Sequence, residues 1–341
     1  MNVQTLSEPL KPNDYASDQE LRWCPGCGDY AIIKSVQRAM AELKADPANT
    51  VFISGIGCAA RFPYYMETYG FHTIHGRAPA IATGVKLANP ELDVWVIGGD
   101  GDMLSIGGNH TLHVLRRNID VQVLLFNNEI YGLTKGQYSP TSKVGTRSPS
   151  TPAGSVDSPI SACVFALGCN ARFVARAVDT DLKRLPGLLV EAKHHKGTSF
   201  VEILQNCIVY NDGVFSAFTE KAIAADGQIL CEHGKPLLFG KDGNRGLRLT
   251  PGKLDLEVVT VGENGITEDE ILIHDEANRP QALMLAGMRP PSFPVAMGVI
   301  FRDPGPAYEI SMHEQIAEVT AENPPEALND LMRKGRTWTV S

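Results

Sequence analysis

The chain has 341 residues, of which 43% are hydrophobic, and this is enough for one large or two modest domains with a hydrophobic core. Its formal net charge of −8 argues against nucleic acid or an anionic membrane surface as the main partner, because neither would be attracted over long range. The seven cysteines are odd in number and widely spread, which excludes a small disulfide-rich secreted domain and leaves metal ligands or buried thiols.

The first 20 residues are mostly polar and include Pro9 and Pro12, which predicts an extended N-terminal arm. No charged segment followed by an apolar core is present, as a secretory signal would require. No apolar run approaches the roughly 20 residues of a membrane span. We therefore expect a soluble, cytoplasmic protein.

Predicted helices and strands alternate in the next part of the chain, and cysteines lie at their turns. The helix over 30–43 repeats Ile33, Val36, Met40 and Leu43 at helical spacing. In order, the predicted elements are a Cys24-Pro25-Gly26-Cys27 knuckle, this helix, a strand over 51–54 that ends in Gly55-Ile56-Gly57-Cys58, an irregular aromatic segment over 59–76, and a helix over 78–88.

The central stretch reads as a βαβ unit. An apolar strand from Val94 runs into Gly98-Gly99-Asp100-Gly101, a helix is predicted over 104–117, and a second strand over 121–126 ends in Asn127-Asn128. Such a unit has parallel strands, so Asp100 and Asn128 are expected together at the carboxyl edge of the sheet, where open α/β sheets bind ligands. Both side chains offer oxygen ligands suited to Mg²⁺ that also binds a phosphate.

The spacing of this unit matches the motif that binds thiamine diphosphate in thiamine-dependent enzymes. Gly99-Asp100-Gly101 is followed by 25 residues and then by Asn127-Asn128. Glycines let the backbone approach the diphosphate, and N–H groups at the start of the next helix can donate to it. An isolated Gly-Asp-Gly would indicate only a tight turn, but the asparagines placed after a second strand favour the cofactor motif.

Downstream of the motif, residues 137–159 are rich in Ser, Thr, Pro and Gly, which predicts a long loop that wraps the site or an interface. The α/β pattern then resumes with a helix over 160–167, a strand over 172–175, a helix over 181–194 and a strand over 200–204 that leads to Cys207.

Beyond residue 211 the pattern changes and no chemical motif is found. We expect a hairpin of 235–239 with 247–249, strands over 257–261 and 294–301, and a final helix that starts at Pro324-Pro325-Glu326 and buries Leu328 and Leu331. A lid, a tail or a small packing domain all fit this region.

The predicted fold class is α/β, with a mostly parallel central sheet flanked by helices. We divide the chain into an arm over 1–20, a cofactor-binding domain over 21–215 and a C-terminal extension over 216–341.

Four cysteines are candidate metal ligands: Cys24, Cys27, Cys58 and Cys207. Four thiolates from loops suit a [4Fe–4S] cluster, but a structural zinc site would satisfy the same spacing, and unligated buried thiols are a third alternative. The other cysteines, Cys163, Cys169 and Cys231, have no partner spacing and are expected to be ordinary thiols.

Six segments together resemble the β subunit of the 2-oxoacid:ferredoxin oxidoreductases, over about residues 20 to 215: WCPGCG, GIGC, HGRAPAIATGVKLANP, GGDGD, NNEIYGLTKGQ and ILQNCIVYN. The resemblance implies the thiamine diphosphate-binding fold, a [4Fe–4S] cluster on the four candidate cysteines, and Mg²⁺ held by Asp100, Asn128 and the backbone carbonyl of Ile130. It also implies that the cofactor is lined by Ile56, Gly57, Cys58, His75, Gly99, Asp100, Gly101, Asp102, Asn128, Ile130, Gly132, Leu133 and Thr134.

The chemistry implied by the resemblance is oxidative decarboxylation of a 2-oxoacid with coenzyme A as co-substrate. Electrons would pass through the cluster to ferredoxin, and the reaction could also run toward carboxylation. No residue matches the glutamate that activates thiamine diphosphate; in the family it comes, with a substrate-binding arginine, from a separate α subunit. We therefore expect an α subunit as partner, in an α2β2 assembly, and an incomplete catalyst without it.

Lys135 and Leu133 are the candidate substrate residues. Many pyruvate-specific relatives have a small residue at the lysine position, whereas a lysine near the reacting carbon could pair with a distal carboxylate. This favours 2-oxoglutarate and makes the chain most similar to 2-oxoglutarate:ferredoxin oxidoreductase. A solvated surface lysine and a pyruvate or broad-specificity enzyme are the alternatives.

Two other classes of function fit parts of the sequence. One is a non-redox thiamine-dependent decarboxylase or carboligase whose cysteines hold zinc. The other is a non-catalytic electron-transfer subunit with a degenerate cofactor site.

Overall fold

The computed structural model describes residues 9–322, 326–335 and 338–340. Eight strands form the main sheet, in the order β2-β1-β3-β4-β8-β7-β13-β9. These strands are β1 Thr50–Ser54, β2 Tyr69–His72, β3 Asp93–Gly99, β4 Gln122–Asn127, β7 Phe173–Val178, β8 Ser199–Leu204, β9 Gln228–Cys231 and β13 Val295–Arg302, and the small sheets contain β5 Ile130–Tyr131, β6 Gln137–Tyr138, β10 Leu238–Phe239, β11 Arg245–Leu249 and β12 Leu256–Thr260.

All neighbouring strands of the main sheet run parallel except β13 and β7, which are antiparallel. The predicted α/β fold with a mostly parallel sheet is therefore confirmed. The predicted βαβ unit is present, with Gly99 of β3 paired in register with Phe126 of β4. Its two strand ends thus lie side by side at the carboxyl edge.

Alternate residues of the central strands face opposite sides of the sheet, and each side has its own hydrophobic core. In β4, Val123 and Leu125 pack into one core, whereas Leu124 and Phe126 pack into the other. Because both faces are buried, these strands are almost wholly apolar, as parallel strands commonly are.

Helices cover both faces of the sheet. The first core includes residues of α2 Ala78–Ala88, α3 Gly108–Arg117, α4 Ala162–Gly168 and α8 Arg279–Gly287, and the second includes residues of α1 Asp29–Leu43 and α5 Leu185–His194. The remaining helices are α6 Ser216–Thr219, α7 Ala224–Gly227, α9 Tyr308–Glu322 and α10 Leu328–Arg333, and turns of 3-10 helix span Pro12–Tyr15, Ala59–Tyr65 and Glu268–Glu270.

The predicted helix over 104–117 is divided in the structure. Asp102–Ile106 forms a π-helical turn, Ser105 has non-helical φ and ψ angles, and α3 begins at Gly108. A Cβ atom on Gly107 would overlap the backbone oxygen of Asp102, so the break depends on glycine at this position. The aromatic segment over 59–76, predicted to be irregular, contains the edge strand β2.

The C-terminal region is not a free extension. Strands β9 and β13, both beyond residue 215, lie at one edge of the main sheet, and β13 pairs directly with β7. The predicted hairpin is present as β10 and β11, with β12 as a third strand. The domain division at residue 215 stays a prediction.

The final helix is present as α10, but the expectation that it buries two leucines is wrong. Leu328 is 70% exposed and Leu331 is 57% exposed, since no described residue packs over either side chain. Pro324 and Pro325, with which we expected the helix to start, lie outside the described residues, as do residues 1–8 of the arm.

No helix in the ranges that the structure describes combines the length and hydrophobicity needed to cross a membrane.

Candidate cofactor site

A cavity of about 530 Å³ lies at the carboxyl ends of β1, β3, β4 and β8. Its wall includes every residue that the sequence predicted to line the cofactor: Ile56, Gly57, Cys58, His75, Gly99, Asp100, Gly101, Asp102, Asn128, Ile130, Gly132, Leu133 and Thr134. It also includes residues that sequence reasoning missed: Asp29, Ala59, Phe126, Tyr131, Gln137 and Gln205. The structure therefore brings the predicted set together, and its role in binding stays a prediction.

Asp100 is buried at the end of β3 and is held by two hydroxyl groups. Its Oδ2 atom accepts hydrogen bonds from Ser139 Oγ at 2.5 Å and from Thr141 Oγ1 at 2.6 Å. Burial raises the pKa of Asp100, and these two hydrogen bonds oppose the rise. A cation beside this carboxylate would remove the cost of burying its charge.

Asn128 lies next to Asp100 at the cavity wall, and its amide orientation is fixed. The side-chain Nδ2 donates to Gln205 Oε1 at 2.7 Å, and Oδ1 accepts from the backbone N–H of Ile130 at 3.2 Å. An amide oxygen has two acceptor sites, so Oδ1 retains capacity for a metal ion. Together with Asp100, it forms an oxygen donor pair that suits Mg²⁺.

Asp102 connects three segments of the cavity wall. Its Oδ1 atom accepts from the backbone N–H groups of Gly76 at 2.6 Å and Ile56 at 3.2 Å, and it lies 2.7 Å from His75 Nδ1. Burial raises the pKa of Asp102, whereas these N–H groups and His75 act in the opposite direction. The carboxylate therefore positions His75 and the backbone at residue 56 around the cavity.

Glycine is required where the Gly99-Asp100-Gly101 turn meets Tyr131. A Cβ atom on Gly101 would overlap the Tyr131 ring, whose hydroxyl donates to the Gly101 carbonyl at 3.0 Å. By contrast, the nearest atom to a Cβ on Gly99 would be 3.9 Å away. The backbone thus has free space beside Gly99, in the cavity wall, whereas the Tyr131 ring packs directly against Gly101.

Cys58 is the candidate cysteine ligand found in the described cavity wall, and Cys207 and Cys27 lie close to other wall residues. A Cβ on Gly132, within the cavity wall, would be 3.5 Å from Cys207 Sγ and 3.6 Å from Cys58 Sγ. Cys27 Sγ accepts a hydrogen bond from Gln205 Nε2 at 3.2 Å. Cys24, the most exposed of the four, is joined to Cys27 by the turn hydrogen bond from the Cys27 N–H to the Cys24 carbonyl at 2.9 Å.

None of the four candidate cysteines forms a disulfide bond with another described residue. Burial, followed by the charge of Asp29 and the thiols of Cys207 and Cys24, raises the pKa of Cys58 to about 12. Within the described ranges, no three His, Cys, Asp or Glu side chains meet closely enough to hold one metal ion.

Lys135 does not belong to the cavity wall, although its neighbours Leu133 and Thr134 do. It is exposed, with a φ of 76°, in the turn between β5 and β6. No glutamate is among the described residues that line the cavity; Glu129, whose pKa burial raises to about 7, lies in the wall of a different cavity.

Comparison with known proteins agrees with this site. Residues 55–203 match the model of the thiamine pyrophosphate enzyme C-terminal TPP binding domain. The matched range contains both halves of the thiamine motif.

One curated relative matches nearly the whole chain, and another matches just over half of it. It is 48% identical over 343 aligned residues to the 2-oxoglutarate oxidoreductase subunit KorB of Mycobacterium tuberculosis, covering 99% of this chain and 91% of that protein. It is 48% identical over 190 residues to the β subunit of 2-oxoacid:ferredoxin oxidoreductase 1 of Aeropyrum pernix, covering 56% of this chain and 60% of that protein.

A solved structure is similar to this chain over nearly its whole length. It is a 2-oxoglutarate:ferredoxin oxidoreductase from Magnetococcus marinus with 2-oxoglutarate, coenzyme A and succinyl-CoA bound; 97% of each chain is covered, with 32% identity and a TM-score of 0.76. The chain therefore belongs to the family of 2-oxoacid:ferredoxin oxidoreductase β subunits, which are enzymes.

Proposed function

We propose that the chain is the catalytic β subunit of a coenzyme A-dependent 2-oxoglutarate:ferredoxin oxidoreductase that holds thiamine diphosphate, Mg²⁺ and a [4Fe–4S] cluster. The overall reaction converts 2-oxoglutarate, coenzyme A and two oxidised ferredoxins into succinyl-CoA, CO₂, two reduced ferredoxins and a proton. It can also run in reverse under a strongly reducing ferredoxin pool.

The observation that carries the redox proposal is the position of Gly132. This residue lies in the wall of the thiamine cavity, and a Cβ there would be within 3.6 Å of the sulfurs of Cys58 and Cys207. A cluster on these sulfurs would therefore lie next to the cofactor, which favours direct electron transfer. A zinc site would give the same sulfurs no role in the chemistry.

The cofactor fits the donors that the cavity provides. The carboxylate of Asp100, Oδ1 of Asn128 and the carbonyl of Ile130 would hold Mg²⁺, and the open backbone at Gly99 would admit the diphosphate. When bound, thiamine diphosphate supplies the electron sink that makes loss of CO₂ from a 2-oxoacid possible. His75, whose Nδ1 lies 2.7 Å from Asp102 Oδ1, is part of the same cavity wall.

The site needs a second chain to be complete. The acidic residues in the described cavity wall are Asp29, Asp100 and Asp102, and no glutamate is among them. An α subunit would supply the activating glutamate and an arginine for the substrate, in an α2β2 assembly that delivers electrons to ferredoxin. The β-subunit names of the relatives support this partner.

The choice of 2-oxoglutarate depends on two observations. A relative of similar length that is named for 2-oxoglutarate is 48% identical, and Lys135 follows the cavity residues Leu133 and Thr134 in an exposed turn. Its flexible side chain could bring an ammonium group to a distal carboxylate when the α subunit closes the cavity.

The redox proposal is tested by purifying the α and β subunits together without oxygen. We expect iron and acid-labile sulfide in a one-to-one ratio, and ferredoxin reduction that requires both coenzyme A and the α subunit. Cys207→Ser should abolish the cluster, whereas the control Cys169→Ser should retain it. Zinc in place of iron in an active complex would contradict the proposal, as would full turnover by the isolated β chain.

The substrate proposal is tested with Lys135→Ala. We expect kcat/KM for 2-oxoglutarate to fall at least tenfold relative to pyruvate, because a charge-assisted contact to the distal carboxylate is lost. Lys241→Ala, on the exposed hairpin turn, is the matched control and should leave the preference unchanged. An unchanged preference in Lys135→Ala would exclude the lysine as the specificity residue.

A further inference from the structure

We infer that Gln205 is a positioning residue that joins the Mg²⁺ site to the iron–sulfur site through one side chain. The inference rests on the proposed function, since it needs both groups to be bound. Gln205 follows β8, is only 2% exposed and lies in the cavity wall.

The side chain of Gln205 is engaged at both ends. Its Nε2 donates to Cys27 Sγ at 3.2 Å and to the Asn206 carbonyl at 2.8 Å, while its Oε1 accepts from Asn128 Nδ2 at 2.7 Å. A cluster ligand and a metal ligand, 101 positions apart in the sequence, are thereby two hydrogen bonds apart in space.

The surrounding structure holds this side chain in place. The backbone N–H of Gln205 donates to the Asn127 carbonyl at 2.8 Å, which extends the pairing of β8 with β4. On the other side, a Cβ on Gly28 would overlap Asp179 Oδ2 and lie 3.0 Å from Gln205 Cγ. The glycine after Cys27 therefore leaves space for both Asp179 and Gln205.

The first consequence concerns Mg²⁺. An asparagine can present either its oxygen or its nitrogen to a neighbouring group, and only the oxygen binds Mg²⁺. Because Gln205 Oε1 accepts from Asn128 Nδ2, the amide is held with Oδ1 available to the cation. Groups that orient a metal ligand in this way typically change metal affinity 10- to 100-fold when they are removed.

The second consequence concerns the cluster. Hydrogen bonds to ligand sulfurs are among the factors that set the reduction potential of iron–sulfur clusters. A donor to Cys27 Sγ withdraws negative charge from the sulfur and so favours the reduced cluster. Gln205 thus stabilises the reduced cluster, which forms when the oxidised cluster accepts an electron.

The experiment uses the co-purified complex and two variants, Gln205→Leu and Gln205→Met, which remove all three side-chain hydrogen bonds and substitute an apolar side chain of similar size. The matched control is Gln281→Leu. Gln281 is also a buried bridging amide, donating to the Ile273 carbonyl and accepting from the Asp275 N–H, but it lies in α8. Three quantities are measured: iron and sulfide content, the cluster midpoint potential by redox titration with electron paramagnetic resonance, and the Kd of thiamine diphosphate at fixed Mg²⁺.

In both Gln205 variants we expect retained iron, a lower midpoint potential and weaker cofactor binding. The ratio of reduced to oxidised cluster at fixed potential should fall by between threefold and tenfold, where tenfold corresponds to 59 mV for one electron. The Kd of thiamine diphosphate should rise about tenfold. Gln281→Leu should change neither quantity.

Other results would overturn the inference. An unchanged midpoint potential in both Gln205 variants, or an equal shift in Gln281→Leu, would show that the hydrogen bond to Cys27 does not tune the cluster. Loss of the whole cluster from both Gln205 variants would make the residue a structural support only. A wild-type complex without iron and sulfide would refute the proposed function itself, and the inference with it.

Discussion

The ion pair between Arg176 and Glu202 offers the sharpest test of how the core supports the site. The two residues are register partners on β7 and β8, and Arg176 Nε lies 2.7 Å from Glu202 Oε2, with both side chains buried. Glu202 also accepts hydrogen bonds from Asn127 Nδ2 at 2.8 Å and from Cys163 Sγ at 3.1 Å. We therefore consider Arg176→Met, Glu202→Leu and the double variant.

Each single substitution leaves one charge buried without its partner, which costs about 3–5 kcal/mol. The double variant has no uncompensated charge, and replacing a buried pair by apolar side chains is often neutral. It does leave the Asn127 amide without an acceptor, at a cost of about 1–3 kcal/mol. We therefore expect the double variant to be more stable than either single variant.

The measurement is urea unfolding of the purified chain, followed by circular dichroism and compared at constant m-value. Single-variant losses that simply add in the double variant would refute the reasoning, because they would show that the two charges do not interact. The Thr141 hydroxyl lies 2.9 Å from Asn127 Oδ1 and 2.6 Å from Asp100 Oδ2 and has one proton to donate to these two acceptors. Loss of Glu202 should therefore weaken Mg²⁺-dependent cofactor binding as well.

Two further predictions follow from packing and from burial. Gly101→Ala should weaken thiamine diphosphate binding at least tenfold, measured by calorimetry, because the new Cβ overlaps the Tyr131 ring. Gly108→Ala should not weaken binding, because no described atom lies within 4 Å of its Cβ. Equal effects of the two substitutions would contradict this prediction. Among the residues that the structure describes, neither ring nitrogen of His195 has a hydrogen-bond partner. Burial, followed by the charge of Arg302, lowers the pKa of His195 from 6.5 to about 4. Between these values only the unfolded chain binds the proton, so stability should fall by about 3 kcal/mol from pH 6.5 to 4 relative to His195→Phe; parallel pH profiles would exclude this.

The sequence predicted the site better than it predicted the far edge of the sheet. Gly99 to Gly101 and the paired asparagines occur at the spacing of a known motif, and each follows an apolar strand. Because the strands of a βαβ unit are parallel, the two halves of the motif are expected to meet at one edge of the sheet. No motif or apolar pattern in the sequence indicated that β9 belongs to the main sheet. Its four residues pair with β13, which is more than 60 positions away, and local pattern carries no information about that contact.

The contacts that hold the site residues in place could not be predicted from the sequence either. Ser139 and Thr141 lie in a stretch that predicted only a loop, yet their hydroxyl groups hold the Asp100 carboxylate. Tyr131 and Gln205 stand within recognisable motifs, but nothing in their spacing shows which atoms they contact.

The sequence by itself determined the α/β class, the thiamine motif and the identity of the candidate ligands, because these depend on local periodicity, turn chemistry and the spacing of residues with specific donors. Only the tertiary structure decided that Gly132 lies between the cavity and two cysteine sulfurs, that Gln205 links Cys27 to Asn128, and that β13 runs antiparallel against β7. Each of these depends on segments distant in the chain, whose distances and hydrogen bonds are set by packing of the whole core rather than by any one stretch of sequence.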